Sequence, residues 1–210
     1  MSNEMGGTLA RYEGRNRKLQ ASKTAILVVD AQNAELAKEV LEKYPEFDTA
    51  LHSRALPAMK KLVHGARARG VEIVYTVIEA LTQDGRDRSL DHKLSNILVP
   101  KGSPLAKVMD EVAPSDDDIV LPKTSSGVFN STNLDYVLRN LGIEDVVVAG
   151  FVTDQCVDMA IRDGADRGYY MVCAQDACAA YTDERHATAL RAFGSYCRLQ
   201  SVEAILGDIV

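Results

Sequence analysis

The chain has 210 residues, of which 46% are hydrophobic and 26% charged, a size and balance that fit one sizeable globular core and exclude disordered, collagen-like and coiled-coil classes. Its 24 basic residues are scattered among 30 acidic ones, for a net charge of −6, so no phosphate-tracking surface is visible and nucleic acid is not an expected partner. The longest strongly apolar stretch, Val146 to Val152, falls far short of the ~20 residues of a membrane helix, and no membrane partner is expected.

Residues 1–22 read as a polar arm carrying Arg11, Arg15, Arg17 and Lys18, with no apolar block of signal-peptide length behind them. Cys156, Cys173, Cys178 and Cys197 contain no C-x-x-C pair, which fits a reducing compartment, and the expected location is cytoplasmic. Residues 23–210 read as a single domain. Ala25 to Val29 is a short, β-branched apolar run ending in Asp30, the pattern of a strand covered on both faces. Similar runs follow at Val71–Ile78, Ile119–Leu121, Val146–Ala149 and Tyr170–Cys173, and a weaker one at Tyr196–Val202.

Between the strands, apolar residues at three- and four-residue steps predict helices through Leu56, Met59, Leu62, Val63 and Ala66, and through Leu134, Val137, Leu138 and Leu141. Gly70 and Gly142 follow as C-terminal caps. Two further helices are expected to start near Asp154 and Asp183, with those acids capping exposed amides. Strand–helix alternation over the chain predicts a three-layer α/β/α domain around a mostly parallel sheet of about six strands. Glu79–Ser115, rich in Gly, Asp, Arg and Pro, predicts a long excursion over the edge of the sheet.

Ligands of open α/β sheets bind beyond the carboxyl ends of the strands, and three polar residues follow apolar runs there: Asp30, Lys123 and Cys156. Taken singly, each has an ordinary reading: a turn acid, a solvated loop lysine and a small buried thiol. Together they make a coherent acyl-transfer site. A helix start and an ammonium both lower a thiol's pKa, giving a reactive thiolate. Asp30 takes the thiol proton and later returns it to a departing amine, a shuttle that contributes about 10²–10⁴-fold. The turn from Gly150 to Cys156 supplies backbone amides for an oxyanion hole.

Three segments, Val28-Val-Asp-Ala-Gln-Asn33, Leu121-Pro-Lys-Thr-Ser-Ser-Gly-Val-Phe129 and Gly150-Phe-Val-Thr-Asp-Gln-Cys-Val157, resemble the isochorismatase-like cysteine hydrolase superfamily in order and spacing, from about Ser22 to Val202. The resemblance implies a Rossmann-like fold and an Asp30–Lys123–Cys156 triad that hydrolyses a C–N bond through a thioester-type acyl-enzyme. It also implies a non-proline cis bond at Phe151–Val152, an oxyanion hole from the amides of Val152 and Cys156, and a homo-oligomer, dimer or tetramer, with the arm and the excursion as candidate contacts. Isochorismatases proper lack the nucleophilic cysteine, so Cys156 favours amide or ureide cleavage over vinyl-ether cleavage. The D-x-H metal cluster of nicotinamidases is replaced by Tyr75-Thr-Val-Ile-Glu-Ala-Leu81, so neither a metal nor another cofactor is expected. His52, His64, His92 and His186 show no metal-ligand spacing and read as surface or helix residues.

For the small-molecule substrate, Arg86 and Arg88 are candidates to clamp a carboxylate, against the ordinary reading of a solvated charged loop. Glu79 is a candidate acceptor for an amide or ureido NH₂, Gln32 joins it from the first motif, and Phe129 and Tyr181 are candidate pocket walls. The expected function is a cysteine-dependent amidohydrolase acting on a small amide, carbamoyl or ureido compound. The rival readings are an isochorismatase-type hydrolase and a non-catalytic nucleotide- or flavin-binding protein. The latter has neither G-x-G-x-x-G after the first strand nor a P-loop to support it.

Overall fold

A computed structural model describes residues 14–210; the part of the arm at residues 1–13 lies outside the described residues. Six strands, β1 Thr24–Val29, β2 Glu72–Ile78, β3 Ile119–Lys123, β4 Asp145–Phe151, β5 Tyr170–Ala179 and β6 Arg198–Gln200, form one all-parallel sheet in the order β3-β2-β1-β4-β5-β6. β1 lies at the centre with all six of its residues buried. Its side chains alternate between two cores, as the period of a strand requires. Ile26 and Val28 join Phe47, Met59, Leu62, Val202 and Ile205 on one face. Ala25, Leu27 and Val29 join Leu134, Leu138, Ala160, Ile161 and Phe193 on the other. A strand buried on both faces has no polar side to show, which is why this segment reads as an uninterrupted apolar run.

Helices Pro45–Ala50, Leu56–Arg67 and Val202–Asp208 cover the first face, and Leu134–Asn140, Asp158–Asp166 and Asp183–Phe193 cover the second. Gly70 and Gly142, at φ +72° and +70°, close two of them. The following amides, of Val71 and Ile143, reach back to the carbonyls of Ala66 and Leu138 at 3.2 and 2.9 Å, the 6→1 bond of a Schellman cap. The expected acid caps are corrected. Thr182, in extended conformation, caps the helix after β5 by accepting from the Arg185 amide at 3.1 Å, and Asp183 is its first-turn acid. Asp154 lies inside a π turn, Thr153–Val157, and accepts from Arg185 Nε at 2.5 Å.

The excursion is also corrected in its course. It returns over the carboxyl end of β1, where the Asn33 amide donates to Lys107 O and the Met109 amide to Ala31 O, both at 2.9 Å. It holds the short helix Leu90–Leu94. Residues 14–22 of the arm lead into a buried Leu19, which exchanges backbone hydrogen bonds with Asp208 and Val210. Among the described residues, no helix is long and apolar enough to cross a membrane.

Candidate active site

The strand order reverses between β1 and β4, so the loops leaving their carboxyl ends diverge and open a crevice there. Asp30 is the first residue beyond β1 and has a left-handed backbone, φ +52°. Its amide donates to Thr76 O and its Oδ1 accepts from Thr76 Oγ1, each at 3.0 Å, so β2 fixes both its backbone and its carboxylate. Lys123 ends β3, two strands away. With strands ~4.8 Å apart, it must cross about 10 Å of sheet rim to meet Asp30, a span that suits a lysine pointing at an aspartate.

The side chains of Lys123 and Asp30 are 0% and 1% exposed, and Lys123 Nζ lies 2.9 Å from Asp30 Oδ2. It also donates to Ser125 O at 2.9 Å and to Cys156 Sγ at 3.4 Å. Two of the three N–H donors of the ammonium are hydrogen-bonded, and its charge is paired with Asp30. Burial pulls the Lys123 pKa down, but Asp30 and Cys156 outweigh it and the group sits above the ordinary lysine value. Lys123 is therefore a fixed cation at neutral pH.

Cys156 sits in the π turn after β4, which begins directly behind a cis peptide bond at Phe151–Val152. Burial first, and then the nearby Asp30 carboxylate, push its pKa up to about 12 against the pull of Lys123. This corrects the expected resting thiolate: desolvation outweighs the ammonium and the helix start. The sulfur rests as a thiol beside the Lys123–Asp30 ion pair.

A groove of about 610 Å³ runs past this cluster, lined among others by Tyr44, Ser126, Asp154, Gln155, Asp158 and Tyr181. Tyr181 stacks on Tyr44 with centroids 4.1 Å apart. Phe129 is corrected: it is buried in the core and stacks on Tyr169 at 5.9 Å. Gln32 is likewise buried, and its amide is spent on backbone. Oε1 accepts from Ile78 N at 2.6 Å, and Nε2 donates to Ile78 O and Leu105 O at 3.1 Å each. Glu79 accepts from the Gly102 amide at 2.6 Å. Arg88 donates to Gly85 O and Ile97 O at 2.9 and 2.6 Å, and the exposed Arg86 pairs with Asp84 at 3.0 Å. Gln32, Glu79 and Arg88 thus hold the excursion to the sheet, supplying partners for backbone groups that irregular chain leaves unpaired.

Two histidines and one glutamate enter the neighbourhood without a signal in the sequence. His92, buried in helix Leu90–Leu94, lies 3.3 Å from Ser126 Oγ, and burial followed by Lys123 lowers its pKa, keeping the ring neutral. His186 Nδ1 lies 2.8 Å from the hydroxyl of Thr153, on the turn that carries Cys156; burial and then Arg54 lower its pKa to about 4. Glu35 lies on a 3₁₀ turn, Asn33–Leu36, just after β1. Burial, then Asp30, raise its pKa to about 7, with Lys123 opposing.

A carboxyl raised from 4.5 to about 7 on folding keeps a proton that the unfolded chain has released, so stability falls as pH climbs through that window. Glu35→Gln is accordingly expected to gain up to ~3 kcal/mol at pH 8 and almost nothing below pH 4.5. Urea unfolding of both proteins at the two pH values checks this; equal gains at both would exclude the raised carboxyl.

The arrangement of a buried acid, ammonium and thiol at the carboxyl rim of a 3-2-1-4-5-6 parallel sheet defines a class of α/β hydrolases. The isochorismatase domain model matches residues 24–203, and the chain belongs to the isochorismatase family. Ureidoacrylate amidohydrolase RutB of Rhizobium rhizogenes is 33% identical over 181 residues, covering 76% of this chain and 71% of that protein. The enzyme of the same name from Agrobacterium fabrum is 32% identical, covering 76% and 77%. N-carbamoylsarcosine amidase from Thermoplasma acidophilum superposes with a TM-score of 0.71 at 27% identity, over 86% of this chain and 97% of that one. A cysteine hydrolase from Pseudomonas syringae superposes at 0.81 over 91% and 94%; at 23% identity it attests the fold.

Proposed function

We propose that this amidohydrolase, a hydrolase of C–N bonds, cleaves a small ureido or amide compound through a covalent acyl-enzyme on Cys156. The observation that carries the reading is the thiol of Cys156, buried 3.4 Å from the Lys123 ammonium, which itself pairs with Asp30 at 2.9 Å, one residue along the chain from Gln155 on the groove wall. Asp30 accepts the thiol proton as sulfur attacks the carbonyl carbon. Lys123 stays charged and stabilises the carboxylate and the forming thiolate together, and the amides of Val152 and Cys156 receive the oxyanion. The C–N bond breaks as Asp30 returns its proton to the nitrogen, releasing ammonia or an amine. Water then gives a proton to Asp30 and attacks the thioester carbonyl, the C–S bond breaks, and sulfur takes the proton back. The ureide names of the relatives support this substrate class.

The test is ammonia release from a panel of ureides and amides that includes ureidoacrylate. Cys156→Ala is expected to lose ~10³-fold or more in kcat, as removal of a covalent nucleophile does. Acid-quenched parent enzyme should carry the acyl mass on the Cys156 peptide. A Cys156→Ala protein as fast as the parent would sink the assignment.

A further inference from the structure

We propose that Ser126 is a specificity-determining residue of this site, donating a hydrogen bond to a second, non-reacting carbonyl oxygen of the substrate, and that the buried His92 is the positioning residue that turns its hydroxyl to that task. The inference deepens the amidohydrolase reading and rests on it.

The groove touches the chain on either side of the Lys123–Cys156 contact, because Ser126 and Gln155 both line it. Gln155 directly precedes the nucleophile. Ser126 directly follows Ser125, whose carbonyl accepts from Lys123 Nζ at 2.9 Å, and the same Nζ lies 3.4 Å from Cys156 Sγ. A substrate seated in the groove and reaching that sulfur therefore runs beside Ser126.

The segment that carries Ser126 is built into place. The Ser89 amide donates to Thr124 O at 2.9 Å, which docks helix Leu90–Leu94 against the residues that follow Lys123. From this helix His92, 1% exposed, meets Ser126 Oγ through Nε2 at 3.3 Å. Among the described residues that is the one hydrogen bond of the hydroxyl, and His92 Nδ1, closed to solvent, has none. Buried polar side chains are seldom left half-satisfied. Here a whole buried ring is spent on a single serine of the groove wall.

The orphaned nitrogen also sets the direction of the bond. A neutral imidazole carries one N–H, and burial keeps this ring neutral. A proton on Nδ1 would be a buried N–H without an acceptor, the rarer kind of orphan, so the proton belongs on Nε2. Nε2–H then donates to Ser126 Oγ, and the serine O–H is left without an acceptor among the described residues. The hydroxyl thus meets a substrate as a donor. No lysine or arginine among the described residues lines the groove, and its Asp154 and Asp158 are held by Arg185 and Arg162. No cation is left over for a substrate carboxylate, so a neutral carbonyl oxygen is the acceptor that fits.

The test uses the full chain and needs no natural substrate. Cys156 is alkylated with N-(2-oxopropyl)bromoacetamide and N-(3-oxobutyl)bromoacetamide, each against its N-propyl or N-butyl counterpart, and the Cys156 peptide is quantified by mass spectrometry. Each pair differs only in the carbonyl, so the ratio of its two rate constants cancels any change in the thiol's own reactivity. For the pair whose length suits the groove, the parent should favour the oxo reagent about fivefold or more. Ser126→Ala and His92→Phe should bring that ratio close to one. Ser126→Thr, which keeps the hydroxyl, and His92→Gln, which keeps a donor, should retain it. N-(carboxymethyl)bromoacetamide should gain nothing over the propyl reagent; a gain that Ser126→Ala abolishes would overturn the choice of a carbonyl. If the parent favours neither oxo reagent, or the ratio survives in Ser126→Ala or in a folded His92→Phe protein, the inference falls while the nucleophile stands. If Cys156 of the parent resists every reagent, the amidohydrolase reading falls and this inference with it.

Discussion

Asp30→Asn and Lys123→Met will each remove activity and several kcal/mol of stability, and the double variant will recover the stability alone. The two charges are 2.9 Å apart with side chains 1% or less exposed. Deleting one partner leaves the other as an uncompensated buried charge, at a cost of about 3–5 kcal/mol. The amide oxygen introduced by Asp30→Asn can still accept the Thr76 hydroxyl, and methionine follows the course of the lysine stem, so the double variant exchanges an ion pair for neutral groups of similar volume. Such exchanges are often neutral or stabilising. Activity obeys a different rule, because neither a proton acceptor nor a fixed cation survives in the double variant, and kcat should stay down by ~10³-fold or more. Urea midpoints and ammonia release, measured on the four proteins as a double-mutant cycle, separate the two. If the double variant were as unstable as either single variant, the ion pair would not be the source of the loss.

What the sequence discloses about this site follows the same physics. A strand buried on both faces must be apolar throughout, so the first polar residue after it marks the rim, and Asp30 and Lys123 are legible for that reason. The glycine caps are legible because their φ of +72° and +70° lies where other residues are strained. Gln32, Glu79 and Arg88 show a polar group in the sequence but not its partner. The excursion's irregular backbone claims all three, which no local pattern records. Desolvation is equally invisible, and this is why Cys156 reads as a thiolate in the sequence and rests as a thiol in the fold. Glu35 shares the difficulty: one acid after a strand is an ordinary turn residue until the chain closes around its Oε2.

The second large effect is expected at Gly150, where a methyl group will unfold or disable the protein. β4 shifts register between Val148 and Gly150 in its pairing with β5, and Gly150 adopts φ +133°. A Cβ built there would lie 2.0 Å from the carbonyl oxygen of Val29 and 2.7 Å from its carbon and nitrogen. That contact is backbone of the central strand, which no side-chain rotation relieves. Gly150→Ala must therefore push β4 from β1 and strain its own φ, at an expected cost of ~3 kcal/mol or more. Gly70→Ala gives the comparison: its φ is +72°, but a Cβ there meets nothing within 4 Å, so about 1 kcal/mol and no change in kcat are expected. The activity loss at Gly150 should exceed what its stability loss explains. Val29 precedes Asp30 and Gly150 precedes the cis bond before the Cys156 turn, so any widening between them separates acid from thiol, and a displacement of about 1 Å costs on the order of 10²-fold. Urea unfolding and ammonia release at a temperature where the variant is still folded check both losses. A folded Gly150→Ala protein of parental stability and rate would mean that the two strands do not hold acid and thiol in register.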